Sequence, residues 1–274
     1  SLEMTNVLTR IEMNGLKINL DTLHEIEKEY NEELSYLETK LQTMAKEAMG
    51  DTPVNLSSPD DRSVLLYSRK VRDKSMWGLT FNLGHEMRGN TMKPKLRTRM
   101  KANVFIRNVR NMTDVVYKTV GQMCAGCLGN GRVRMVNKNG QPSKVLNICK
   151  PCKGKGIRYM DTNEVAGFKI VPRNPKDTAS AGFKTDKVTL EDRSLELSGD
   201  AREFCTSYSR YNAIRTYLST FVEGMKNNVD DDGFVHPEFM QCVTATGRLS
   251  SRNPNFQNMP RGSTFAIRKV VESR

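Results

Sequence analysis

Cys124-Ala125-Gly126-Cys127-Leu128-Gly129-Asn130-Gly131 and Cys149-Lys150-Pro151-Cys152-Lys153-Gly154-Lys155-Gly156 are two copies of one pattern, CxxCxGxG. A two-residue spacer lets both thiolates of a copy reach a single ion. The glycines permit left-handed turns and leave backbone N–H groups to donate to sulfur. Together, Cys124, Cys127, Cys149 and Cys152 make one closed tetrahedral Zn²⁺ site. With no His or carboxylate nearby to supply an open position, that zinc is expected to be structural. Between the copies, Arg132 to Val136 and Lys144 to Ile148 flank Asn139-Gly140, a type I′ hairpin signal. The competing readings are a pair of disulfides in an exported protein and a redox pair; the first lacks a targeting segment and the second does not need the doubled glycines. Cys205 and Cys242 have no partner spacing, and Cys205 falls on an apolar stripe as a small packed side chain.

A second run with chemical capacity extends from Thr244 to Pro260, TATGRLSSRNPNFQNMP. It offers amides, hydroxyls and two guanidinium groups in a loop punctuated by Gly and Pro, with Leu249, Phe256 and Met259 as its large apolar side chains. Such a surface suits a nucleic-acid strand better than a core. The charge agrees. The chain carries a net +12, while residues 61–160 hold 22 Lys/Arg against 4 Asp/Glu and residues 1–50 hold 5 against 10. Concentrated positive charge releases counterions from phosphates. The basic run Lys93, Lys95, Arg97, Arg99 and Lys101 lies inside the positive stretch. Asp230-Asp231-Asp232 beside Gly233 reads as a solvated turn, since three adjacent carboxylates repel one another.

The elements that position these runs are mainly helical. Residues 2–18 alternate and turn at Asn14-Gly15 into a short extended piece. Asn19 caps a long helix with apolar residues at Leu23, Ile26, Tyr30, Leu34, Leu37, Leu41, Met44 and Ala48, ended by Gly50 and Pro53. A second stripe, Phe204, Tyr208, Tyr211, Ile214, Leu218, Phe221 and Met225, repeats the period, so two long helices are expected to pack antiparallel with the intervening residues projecting from one end. A strand at Gly233–His236 and another at Gln241-Cys242-Val243 would form a hairpin leading into the polar run. The hydrophobic fraction of 37% and mean hydropathy of −0.58 are low for one compact globule. No run of about 18 apolar residues appears. The start, Ser1-Leu2-Glu3-Met4, reads as a fragment boundary without a signal peptide.

The run from Thr244 to Pro260 resembles, nearly letter for letter, the segment of family A DNA polymerases (the DNA polymerase I type) that enters the palm and touches the primer-template minor groove. Ile11 to Asn19 resembles the entry to that family's first thumb helix, Val54-Asn55-Leu56-Ser57-Ser58-Pro59 its "NLNSP" turn, and Gly182 to Asp192 its thumb-tip return. The resemblance implies an α+β, mainly helical fold. Its parts would be an antiparallel long-helix thumb, an inserted zinc-ribbon-like β-hairpin module and a C-terminal β-hairpin from the palm. The implied divisions are 1–75 thumb, 76–177 basic zinc-binding insertion, 178–228 return helix and 229–274 start of the palm. Arg248 would reach the minor-groove acceptors that every correct base pair presents. Asn255, Gln257 and Asn258 would add minor-groove and template contacts, and Arg215 would face the duplex backbone. The knuckles resemble the zinc centre of DnaJ-type chaperones, a likeness that carries over the metal ligands alone.

The implied partner is double-stranded primer-template DNA, with no membrane. A phage member of the family carries a thumb insertion where host thioredoxin docks. By analogy the insert is expected to raise processivity, by gripping DNA or by recruiting a host processivity protein. The family's Mg²⁺-holding carboxylates come from a "DYSQIELR"-like motif and an "HDE" motif, and neither is present here. The resemblance therefore implies a nucleotidyltransferase as the full-length parent, with Mg²⁺ bound only there, and a chain that by itself binds without polymerising. A cytoplasmic location is expected, in a bacterial host if phage-encoded. The alternatives are a chaperone-like or protein-binding zinc module on a helical stalk, and a stand-alone DNA-binding accessory protein.

Overall fold

The computed structural model describes residues 2–88, 91–95, 100–136, 140–241, 247–256, 259–260 and 264–272. In chain order the elements are α1 (Leu2–Asn14), β1 (Leu16–Lys17), α2 (Leu20–Met49), α3 (Pro59–Tyr67), β2 (Arg69–Val71), α4 (Lys74–Thr80), β3 (Gly84–Arg88), β4 (Thr91–Lys95), α5 (Ala102–Met112) and β5 (Thr113–Val115). There follow β6 (Tyr117–Met123), β7 (Arg132–Val136), β8 (Pro142–Ile148), β9 (Ile157–Val165), β10 (Thr178–Ala179), β11 (Gly182–Phe183) and α6 (Lys187–Glu196). The last are α7 (Gly199–Tyr217), a π-helical turn at Leu218–Val222, α8 (Glu223–Lys226), β12 (Phe234–Val235), β13 (Glu238–Met240) and β14 (Ser250–Arg252). The result is a mixed helix-and-strand chain whose described sheets are all two-stranded and antiparallel.

Contacts divide the chain into two compact units, Ser1–Thr39 with Ser207–Arg274, and Lys40–Thr206. In the first unit, α2 starts where Asn19 Oδ1 accepts from the Thr22 N–H at 2.9 Å, satisfying one of the free donors of the first turn. Leu23, Ile26, Tyr30 and Leu37 then bury one face of α2 against Ile214, Tyr217 and Met225. The two helices run antiparallel: Arg210 donates through Nε and a second guanidinium nitrogen to both Glu33 carboxylate oxygens at 2.7 Å, and Lys226 reaches Glu27 at 3.0 Å. The expected stripe holds as far as Ile214 and then slips. Tyr217, Val222 and Met225 are buried, whereas Leu218 and Phe221 are half-buried. The π turn inserts a residue, so the step from Tyr217 to Val222 is five rather than three or four.

The amino-terminal region departs from the sequence expectation. Residues 2–14 are a helix; Leu8 is its buried residue, while Met4, Val7, Ile11 and Met13 are exposed. Of the hairpin expected from residues 233–236 and 241–243, the first strand has a distant partner. Phe234–Val235 instead pairs with Leu16–Lys17, and Glu238–Met240 pairs with Ser250–Arg252; residues 242–243 lie outside the described residues. The cause is non-local: the extended piece Leu16–Lys17–Ile18 offers Phe234–Val235 a ladder partner, continued by the Ile18 N–H donating to the Gly233 carbonyl at 2.9 Å, while Val229 bridges Val235.

In the second unit, α3 begins at a Ser58 cap with Pro59 in its first turn. Its core is aromatic: Trp77 lies against Phe81 and edge-on to Phe183, which stacks on Tyr67. A buried ion pair joins Asp177 to Arg193 of α6. The Asp177 carboxylate also accepts from the backbone N–H of Asn174 at 3.1 Å. Lys40 and Glu203 pair at 2.6 Å. Cys205 is fully buried, and burial pushes its thiol up to about 11, as a packed side chain requires. Among the described residues, no helix is long and apolar enough to cross a membrane.

Candidate functional site

The four knuckle cysteines converge. Cys124, Cys127, Cys149 and Cys152 are all buried, and their sulfurs lie within 4.8 Å of one another. Cys124 Sγ is 3.8 Å from Cys149 Sγ, and Cys127 Sγ is 3.6 Å from Cys152 Sγ. Four sulfurs held tetrahedrally 2.3 Å from one zinc ion are about 3.8 Å apart, close to the two separations above, so the cluster could take that ion. A disulfide would need about 2 Å.

The backbone explains the convergence. The two knuckles share one geometry: Leu128 and Lys153 have φ of 48° and 50°, Gly129 and Gly154 of 84° and 85°, Gly131 and Gly156 of 70° and 74°. The Gly131 N–H donates to Cys127 Sγ at 3.2 Å and the Gly156 N–H to Cys152 Sγ at 3.3 Å. Each knuckle also anchors the other, since the Cys124 N–H donates to the Gly156 carbonyl and the Cys149 N–H to the Gly131 carbonyl. A Cβ on Gly131 would stand 2.2 Å from the Gly154 carbonyl oxygen, and one on Gly156 would stand 2.1 Å from that of Gly129. Burial opposes ionisation of Cys152, yet the Gly156 N–H and the thiols of Cys127 and Cys149 outweigh it and bring the group down to about 7. Burial pushes Cys149 up to about 12. The sheets β6–β9 and β7–β8 enter and leave the knuckles, β7 and β8 standing where the strands around Asn139-Gly140 were expected. Four thiolates around one ion leave no open position, so such a centre holds chain together and offers no site for a substrate.

The polar run behaves differently from a simple loop. Ser250–Arg252 is a strand, Ser251 is buried, and Phe256 and Met259 pack against the core of their unit. Glu238 accepts from Arg252 Nε at 2.6 Å and from Asn253 Nδ2 at 2.9 Å. Those two polar side chains are therefore committed to holding the run in place. Ser251 Oγ donates to Asn255 Oδ1 at 3.4 Å, and Asn255 is half-buried. Arg248 is exposed ahead of the strand, and Arg215 is exposed on α7 of the same unit. Gln257 and Asn258 lie outside the described residues.

The basic run splits across elements. Lys93 and Lys95 belong to β4, opposite Glu86 and Gly84; Lys101 is exposed and precedes α5; Arg97 and Arg99 lie outside the described residues. Reasoning from sequence missed one feature of the knuckle module. On the β7–β8 hairpin Arg132 opposes Ile148 and Arg134 opposes Leu146, so one face presents two arginines between two exposed aliphatic side chains. The alternation Arg-x-Arg against Leu-x-Ile was the available signal. Asp230 forms the expected turn: its carboxylate accepts from the N–H groups of Asp232 and Phe234 and faces His236 Nε2 at 3.1 Å.

Residues 165–274 match the family model described as DNA polymerase family A. DNA polymerase I of Treponema pallidum is 56% identical over 94 residues, 34% of this chain and 9% of that protein. DNA polymerase I of Deinococcus radiodurans is 29% identical over 163 residues, 53% of this chain and 16% of that protein. The DNA polymerase of Bacillus phage SP01 is 32% identical over 100 residues, 33% of this chain and 11% of that protein. A solved structure, the polymerase domain of Pol1 from M. smegmatis in complex with DNA primer-template and dNTP, aligns over 99% of this chain and 29% of its own, with 17% identity and a TM-score of 0.48. The similarity to DNA polymerase family A thus lies over residues 165–274. It matches only a small share of the length of these curated relatives.

Proposed function

We propose that this chain binds primer-template DNA within a template-directed DNA polymerase, and that residues 76–177 carry a zinc-organised module that raises processivity. The observation that carries the DNA reading is the combination of the family match with an exposed Arg248, ahead of a run anchored by Glu238, Phe256 and Met259. A guanidinium held there can donate to purine N3 and pyrimidine O2, acceptors common to all base pairs, and so test pairing geometry without reading sequence. Asn255, Gln257 and Asn258 are proposed to extend that contact, and Arg215, Lys93, Lys95, Arg97, Arg99 and Lys101 to face phosphates.

Zinc is proposed for Cys124, Cys127, Cys149 and Cys152, where it would supply cross-linking of two chain segments and no catalysis. Nucleotide incorporation is proposed for the polymerase that holds Mg²⁺ on the carboxylates of the two motifs absent from this sequence; the chain alone binds DNA without extending it. The deciding experiment is fluorescence anisotropy with a primer-template duplex. Arg248→Ala is expected to weaken binding to duplexes of unrelated sequence to the same degree, whereas unaltered affinity would overturn the assignment. Metal analysis should find one zinc per chain, lost in a Cys124→Ser/Cys149→Ser variant.

A further inference from the structure

A cavity of about 290 Å³ in the unit Lys40–Thr206 lies between β2, α5 and residues 165–172. Its floor is apolar, with Ile106, Val109 and Ile170, and its walls carry three cations and no carboxylate: Arg69, Arg110 and Lys169. Three chain segments bring these charges together. Arg69 is half-buried and fixed, donating from Nε to Thr113 Oγ1 at 2.7 Å, while the Thr113 hydroxyl itself donates to the Val109 carbonyl. Two acids stand near, each engaged elsewhere: Asp114 accepts two hydrogen bonds from Arg72, at 3.1 and 2.6 Å, and Glu164 pairs with Lys118 at 2.6 Å. Among the described residues no ion pair within 4 Å joins Arg69, Arg110 or Lys169 to a carboxylate, although Asp114 is felt by Arg69 and Glu164 by Lys169. Burial and the charge of Arg110 push the Arg69 guanidinium below its usual range, offset in part by Asp114. The backbone around Lys169 is fixed as well: its φ is 56° and its N–H donates to Ser68 Oγ at 2.8 Å.

Like charges gathered around an apolar floor repel one another, and partial burial adds to the cost at Arg69; a bound anion offsets both. A guanidinium presents paired donors that match a phosphate or carboxylate edge. We propose that the Arg69–Arg110–Lys169 pocket seats one backbone phosphate of bound DNA, with the carbon face of the adjoining sugar on the apolar floor. This rests on the DNA-binding reading above and adds a contact at residues the basic run does not include. The excess of cations over residues 61–160 favours a polyanion over a single acidic side chain.

The test has two arms on the full chain, comparing wild type with Arg110→Gln/Lys169→Asn. Both altered side chains are exposed, Asn tolerates the left-handed backbone at 169, and unchanged circular dichroism verifies folding. In the first arm, inorganic phosphate should raise the melting temperature of the wild type above that in chloride of equal ionic strength, and the variant should lose this shift. Equal shifts in both proteins would overturn the pocket. In the second, anisotropy with a primer-template duplex is measured from about 50 to 300 mM KCl. Loss of one phosphate contact lowers the slope of log K against log salt by about 0.9, which is roughly eightfold in affinity near 0.1 M. A lost phosphate shift with identical slopes would overturn DNA as the occupant. A wild type that binds phosphate but no duplex would instead sink the DNA reading on which this one stands.

Discussion

Replacing Gly156 by Ala should disable the knuckle pair. Two costs add. The residue sits at φ 74°, where an alanine pays about 1–2 kcal/mol against the Cβ–carbonyl clash. Its Cβ would also stand 2.1 Å from the Gly129 carbonyl oxygen and 3.0 Å from the carbonyl carbon. Backbone cannot rotate aside as a side chain can, so the opposite knuckle must retreat by roughly 1 Å, with a strain of order 1–3 kcal/mol. The retreat pulls the Gly156 N–H off Cys152 Sγ and the Gly156 carbonyl off the Cys124 N–H. Outer-shell partners of this kind are worth about 10–100-fold in metal affinity. Competition against a chromophoric chelator should therefore show zinc binding weakened by about that factor. Gly199→Ala is the control: its φ is 58° and no described atom lies within 4 Å of its Cβ, so it carries the conformational penalty without the collision. It should lower the melting temperature and leave zinc affinity alone. If the two variants bind zinc equally well, the interlock between knuckles is not what shapes the metal site.

Three further outcomes can be checked by denaturation. Arg193→Met leaves the buried Asp177 carboxylate without its cation, which should cost about 3–5 kcal/mol, or about 10 °C in melting temperature; a drop of less than 2 °C would refute the pair's importance. Asn19→Ala removes the cap of α2 and should cost about 1 kcal/mol, with Asn19→Ser recovering most of it, whereas Asn19→Asp would face the Glu272 carboxylate to which Asn19 Nδ2 donates at 3.0 Å. His236 places Nδ1 2.7 Å from the Glu12 carbonyl and Nε2 3.1 Å from Asp230, so both ring nitrogens face acceptors and the doubly protonated ring satisfies both. The Glu12 carbonyl first, then Asp230, hold its pKa above the ordinary 6.5. Its contribution is thus fully present below pH 6.5 and lost as pH rises through the higher folded value. Melting temperature should fall over that window in the wild type and stay level in His236→Gln, the two curves converging at alkaline pH.

What the sequence disclosed was set by local rules. The knuckles depend on spacing within eight residues, and α2 on a period sustained for thirty, so both were legible. The helix at Leu2–Asn14 was not, because its apolar side chains are mostly exposed and no core face announces its period. Nor was the partner of Phe234–Val235, which lies more than 200 residues away at Leu16–Lys17. The polar run read as a free ribbon, since nothing between Thr244 and Pro260 reveals that Glu238 accepts from Arg252 and Asn253. The cation pocket was invisible for the same reason: Arg69, Arg110 and Lys169 are scattered among 43 basic residues, and only folding singles them out.

The extra winding at Leu218–Val222 makes that stretch a register clutch. Deleting any one of its five residues would let the segment relax into ordinary α-helix with the step from Tyr217 shortened to four, so that Met225 keeps its place in the core and Phe234–Val235 still reaches Leu16–Lys17. A single-codon loss there should therefore be far less damaging than one within Gly199–Tyr217, where no residue is spare and all that follows would swing by about 100°.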